Sequence, residues 1–140
     1  MHFESIVSIN AAPERAWTVL TDVERAPEWT SSMTSVKRLD DGPLRVGSEA
    51  RIHQPRLLPA TWQVTELTAP SWFAWTTRSP LMRIVAGHRI APAAHGCTVT
   101  LTTELSGPIA PVIGRVYRGR IQRYINTEAN GLKTRCESTT

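Results

Sequence analysis

A histidine stands in a strand that is otherwise built for a protein interior. In Leu81–Pro92, alternation places Met82, Ile84, Ala86, His88 and Ile90 on one face and Leu81, Arg83, Val85, Gly87 and Arg89 on the other. The two arginines belong in water, so His88 faces inward. An interior imidazole, with an ordinary pKa of ~6.5, offers three kinds of chemistry. It can bond to a neighbouring strand or to a helical tyrosine and serve structure alone, which is the default for a histidine in a core. It can touch a ligand. It can also move a proton, taking one alpha to a carbonyl or giving one to a departing hydroxyl.

Other side chains converge on the same interior. Tyr117 and Tyr124 are seven residues apart, two turns of a helix, on the face that carries Ile113 and Ile121. Their hydroxyls serve either packing or a ligand carbonyl. Trp62 and Trp75 have inward parity on sequential strands and are expected to stand side by side as a flat aromatic wall. Trp29 follows Pro27 where a loop could close an opening and reads equally as core or as portal, Trp17 reads as core, and Trp72 faces outward. Met82, Ile84 and Ile121 complete the expected apolar lining. Arg78 ends its strand with outward parity. It reads as a solvated arginine, or as a cation at a cavity mouth fixing a carboxylate or enolate. Glu66 reads as a solvated rim position, Glu128 is expected to lean to solvent beside the helix stripe, and His53 is expected to be exposed. His2 and His95 are given no role.

Much chemistry has no support. No inward pair of carboxylates suggests glycosidase chemistry, and GxSxG, HExxH, Walker and GxGxxG motifs are absent. Cys97 and Cys136 have no metal-ligand spacing, so neither a metal nor another cofactor is expected. Cys97 reads as a small strand residue and Cys136 as an incidental thiol near a fraying end. The net charge is +4, and fourteen of the sixteen basic residues are arginines. They are scattered except at Arg115, Arg118, Arg120 and Arg123, which read as the solvated face of a helix. Nucleic acid is therefore not an expected partner, and an anionic ligand or membrane surface is the lesser reading. The 140 residues, 41% of them hydrophobic, suit one core and one domain spanning residues 1–140. No apolar run of ~18 residues could span a bilayer. Residues 1–10 lack a basic region before an apolar block, so a cytoplasmic location is expected.

The elements that must position these residues follow from their periods. A first strand is expected over 2–10. A short helix follows in "AAPERAWTVLTDV", with Pro13 suited to its first turn and Glu14 to the positive end of its dipole. A second short helix or turn is interrupted by Pro27. Strands are expected over 33–39, 47–54, 60–68, 72–78, 81–91 and 97–105, separated by turn signals such as "DDGP" and "PAAHG". From Ile109 the period becomes helical for roughly 25 residues. Gly114, Gly119 and Gly131 each lower helix propensity by ~1 kcal/mol, so packing must support that helix.

The chain resembles the START-like, or helix-grip, superfamily, which includes Bet v 1-like proteins and the polyketide cyclase/dehydrase and lipid transport group (SRPBCC). The resemblance spans essentially the whole chain. It rests on "INAAPERAWTVLTDVERAPEW", "LRVGSEARI", "WQVTELTAPSWFAW" and "TLTTELSGPIAPVIGRVYRGRI". It implies an α+β helix-grip fold: a curved antiparallel seven-stranded sheet wrapped around a long C-terminal helix, with two short helices closing one edge. It also implies a hydrophobic cavity between sheet and helix. The expected function is binding of a polyketide-like or lipid-like molecule. The expected ligand-binding residues are Trp29, Trp62, Trp75, Arg78, Met82, Ile84, His88, Tyr117, Ile121 and Tyr124. A cyclase or dehydratase using His88 and Tyr124 is the alternative, and a protein-interaction module is a third reading, which would need a filled pocket and an apolar surface patch. Pairing of edge strands offers a route to a homodimer.

Overall fold

Seven segments with alternating burial form one antiparallel sheet in the computed structural model, which describes residues 1–138. The strands are β1 (His2–Ile9), β2 (Ser35–Arg38), β3 (Glu49–His53), β4 (Ala60–Thr68), β5 (Trp72–Ser79), β6 (Met82–Ala93) and β7 (Gly96–Ser106). Their order is β1-β7-β6-β5-β4-β3-β2. Consecutive strands from β2 to β7 pair as neighbours, and β1 pairs with β7, bringing Phe3 opposite Thr103 and Ile9 opposite Cys97. The strand positions expected from the sequence hold to within about two residues. One irregularity matters: β4 carries a bulge between Val64 and Glu66. The extra residue moves the inward face from Val64 to Leu67 and leaves Glu66 in solvent, accepting a hydrogen bond from Trp72 Nε1 at 3.3 Å.

The helix α1 (Pro13–Thr21) starts with Pro13 in its first turn and buries Ala16, Val19 and Leu20. A 3-10 turn over Val23–Glu28 follows, with Pro27 inside it. The C-terminal helix departs from the expected single rod. It is divided into α2 (Ala110–Val116) and α3 (Arg118–Glu137), with Tyr117 at the break in a non-helical conformation. Weak helical propensity at Gly114 and Gly119 permits the break. Gly114 also has a packing reason: a Cβ there would stand 2.3 Å from Met1 Sδ.

Two contacts hold α3 across the sheet. Ile125, Ala129, Leu132 and Cys136 are buried on it. Cys136 is thus a core residue and not a thiol at a fraying end, and burial pushes its thiol up to about 11. At Gly131 the helix touches backbone directly, because a Cβ would lie 1.9 Å from the Trp29 carbonyl oxygen. The core between α1, α3 and the sheet is anchored by Phe73, Leu101, Leu132, Val64 and Val99, all almost fully buried. This core fills one end of the concave sheet. A smaller cluster of Phe3, Leu105, Ala110 and Ile125 packs α2 and the start of α3 against β1 and β7, and space remains between these helices and the inner faces of β3 to β7.

Candidate functional site

That space is a cavity of about 500 Å³, within the range of small-molecule sites. Its floor comes from alternate residues of adjacent strands. Trp62 on β4 and Trp75 on β5 stand with ring centroids 6.1 Å apart and planes tilted by 45°, the aromatic wall expected from parity. Ile84, Ala86 and His88 of β6 and Leu101 and Leu105 of β7 continue it. The roof is Ile113, Tyr117, Ile121, Tyr124, Ile125 and Glu128 of α2 and α3. The loop over residues 54–59 supplies Arg56, Leu57 and Leu58 at the open side.

Eight of the ten residues named from the sequence therefore line one cavity: Trp62, Trp75, Met82, Ile84, His88, Tyr117, Ile121 and Tyr124. Two do not. Arg78 is exposed near the end of β5, on the outer face that its parity indicates. Trp29 lies behind the cavity, because its backbone is pressed against Gly131. Its ring borders a separate void of about 10 Å³, shared with Phe73, Trp75, His88 and Glu128. That is about the room one water molecule needs. Trp29 Nε1 is buried and has no hydrogen-bond partner among the described residues.

His88 is held on three sides. Its ring stacks on Phe73 with centroids 4.1 Å apart and planes 10° from parallel, and Trp75 meets it edge-on. Nδ1 lies 3.1 Å from the Phe73 carbonyl oxygen. A carbonyl only accepts, so Nδ1 carries the proton and Nε2 presents a lone pair. Burial holds the imidazole down to about 4, partly offset by the bond to Phe73, so the ring is neutral at physiological pH. The protein partner expected for His88 exists, and the other edge of the ring still meets the cavity.

Facing that edge is a residue the sequence reading placed elsewhere. Glu128 does not lean to solvent. Its side chain is 12% exposed, and Oε2 lies 3.9 Å from His88 Nε2. Burial pushes its carboxyl up to about 7. The spacing carried the signal: Glu128 comes three residues after Ile125 and four before Leu132, on the buried stripe itself. With the imidazole lowered and the carboxyl raised, both groups are neutral between about pH 4 and 7, and above that a carboxylate faces a neutral imidazole, so they do not form an ion pair. The separation exceeds a hydrogen bond.

The tyrosines differ. Tyr124 donates its hydroxyl to the Pro55 carbonyl, tying α3 to the loop over 54–59. Tyr117 is partly exposed at the mouth, with the Arg120 guanidinium 5.4 Å from its ring centre.

The family described as polyketide cyclase/dehydrase and lipid transport matches residues 1–137. No curated protein matches the chain. Solved structures share the fold at low identity. A hypothetical protein from Helicobacter pylori is 9% identical with a TM-score of 0.84, covering 98% of this chain and 88% of that one. The Zhui aromatase/cyclase from a Streptomyces species is 18% identical with a TM-score of 0.78, covering 98% and 93%. Ara h 8.0201 is 8% identical with a TM-score of 0.69, covering 96% and 98%.

Proposed function

The chain belongs to the polyketide cyclase/dehydrase and lipid transport family, and from that premise we propose that it binds a small hydrophobic or aromatic molecule, polyketide-like or lipid-like, in the cavity between sheet and α3. The observation that supports this most is the cavity itself: about 500 Å³ with largely apolar walls and, among its few polar groups, a buried facing pair, His88 and Glu128. Such a pocket recognises a flat apolar body carrying one oxygen. Two atoms 3.9 Å apart can each reach a third at ~2.8 Å, so one ligand oxygen can meet both. A protonated Glu128 donates to a carbonyl, and His88 Nε2 accepts from a hydroxyl. Trp62 and Trp75 supply the apolar face.

A second reading, proton transfer in a cyclase- or dehydratase-type reaction, draws support from the same pair. A neutral imidazole with a free Nε2 is a base, and a carboxyl raised toward neutrality is an acid. Tyr124 fits this role less well than Glu128, because its hydroxyl proton is committed to Pro55. The open cavity weighs against the protein-interaction reading, which needs a filled one.

Native mass spectrometry of freshly purified protein tests the binding reading by detecting a retained molecule. Titration with a naphthalene fluorophore gives a second readout. Saturable one-to-one binding that His88→Phe weakens is the expected result. Absence of binding by both methods would reject the reading. Turnover of a polyketide-like substrate that survives His88→Phe unchanged would remove the proton-transfer role.

A further inference from the structure

We propose that the rim of the cavity is a docking surface for an anionic lipid bilayer. The rim has two lips. One is the loop over residues 54–59, with Arg56, Leu57 and Leu58; the other is α2 and the start of α3, where Tyr117 and Arg120 line the cavity and Val112, Arg115, Val116 and Arg118 are exposed on the same segment. The Tyr124–Pro55 hydrogen bond holds the lips together. Both present apolar side chains to solvent: Leu58 is 89% exposed and Val116 69%, with Val112, Leu57 and Tyr117 also open. Single exposed leucines are ordinary on a protein surface, whereas Leu57, Leu58 and Tyr117 at one opening, with Val112 and Val116 exposed on the adjoining helix, call for a partner.

Charge selects the partner. No Asp or Glu occurs between residues 105 and 127 or between residues 50 and 65. Among the described residues, Arg56, Arg115, Arg118 and Arg120 take part in no ion pair. The carboxylates Glu4 and Glu104 on β1 and β7 are engaged by His2. Uncompensated arginines interleaved with exposed Leu, Val and Tyr match the boundary between anionic headgroups and acyl chains, which takes both kinds of side chain at once. An acidic protein would satisfy the arginines but leave two separate apolar lips to be matched. A bilayer deforms to both.

The proposal is independent of what the cavity holds, and its test is flotation of the full chain with vesicles. Binding is expected to phosphatidylcholine containing about one third phosphatidylglycerol and not to phosphatidylcholine alone. Each arginine near such a surface contributes about fivefold, so Arg115→Gln with Arg118→Gln should weaken partitioning about 25-fold. Leu58→Glu with Val116→Glu should weaken it at least about tenfold. Fluorophore binding by the arginine variant in vesicle-free solution reports on the cavity separately. Failure to float with anionic vesicles at low salt, or equal flotation by wild type and both variants, overturns the proposal. So does capture by an acidic protein in the absence of any vesicle binding.

Discussion

His88 and Glu128 titrate in opposite senses, and their effects on stability should hide one another. Glu128 moves from an ordinary 4.5 when unfolded to about 7 when folded, and His88 from 6.5 to about 4. Stability rises with pH wherever the unfolded chain holds more protons, at ~1.4 kcal/mol per pH unit for one proton. For His88 the unfolded chain holds the extra proton between pH 4 and 6.5, so its contribution grows by about 3 kcal/mol as pH rises. For Glu128 the native state holds it between 4.5 and 7, so stability falls by a similar amount, about 3 kcal/mol. From pH 4.5 to 6.5 the two slopes cancel. Relative to wild type, Glu128→Gln should gain stability as pH rises from 4.5 to 7, because the opposing Glu128 titration is gone and the His88 gain is unmasked. His88→Phe should lose stability relative to wild type as pH rises from 4 to 6.5, because the His88 gain is gone and the Glu128 loss is unmasked. Urea unfolding at half-unit pH steps measures this. Differences from wild type remove the titrations of His2, Asp40 and Glu137, which all three proteins share. Parallel profiles for the three proteins would refute the reasoning. A charged His88–Glu128 pair would be equally fatal to it. That pair would give wild type a stability dome between pH 4.5 and 6.5, and both variants would abolish it.

Other consequences are simpler to read. Ile121→Trp puts an indole into the cavity and should abolish fluorophore binding while circular dichroism stays native, since the space to receive it exists. Gly131→Ala forces a methyl group against the Trp29 carbonyl oxygen and should cost about 3 kcal/mol in urea unfolding. Tyr124→Phe cuts the tie between α3 and Pro55; stopped-flow fluorescence should show faster release of the probe, with equilibrium stability lowered by only about 1 kcal/mol.

Strand alternation carried most of what the sequence revealed. Trp62, Trp75, Ile84 and His88 were placed on one inner face by a period of two, and register set by short hairpins turned that face into a wall. Where position and residue type disagreed, type misled: Glu128 occupies a stripe position, yet a carboxylate reads as solvent-facing. The bulge at Val64 and Glu66 and the break at Tyr117 are one-residue departures from periodicity that no repeat announces. Trp29 was beyond reach for another reason. Its place depends on backbone contact with Gly131, about a hundred residues away, which only the assembled fold defines.

The pairing of β1 with β7 bears on how the protein folds. The hairpin that joins Ser79 to Met82 closes almost at once, whereas Ile9 must find Cys97 nearly ninety residues further along. Loop closure alone makes the second search about 3 kcal/mol less favourable. The strands from β3 to β7 can zip as a run of neighbours, with β1 joining a sheet that already exists. On the ribosome, β1, made before the other six strands of the sheet, is then among the last to be placed, and the sheet exposes its β7 edge until that happens.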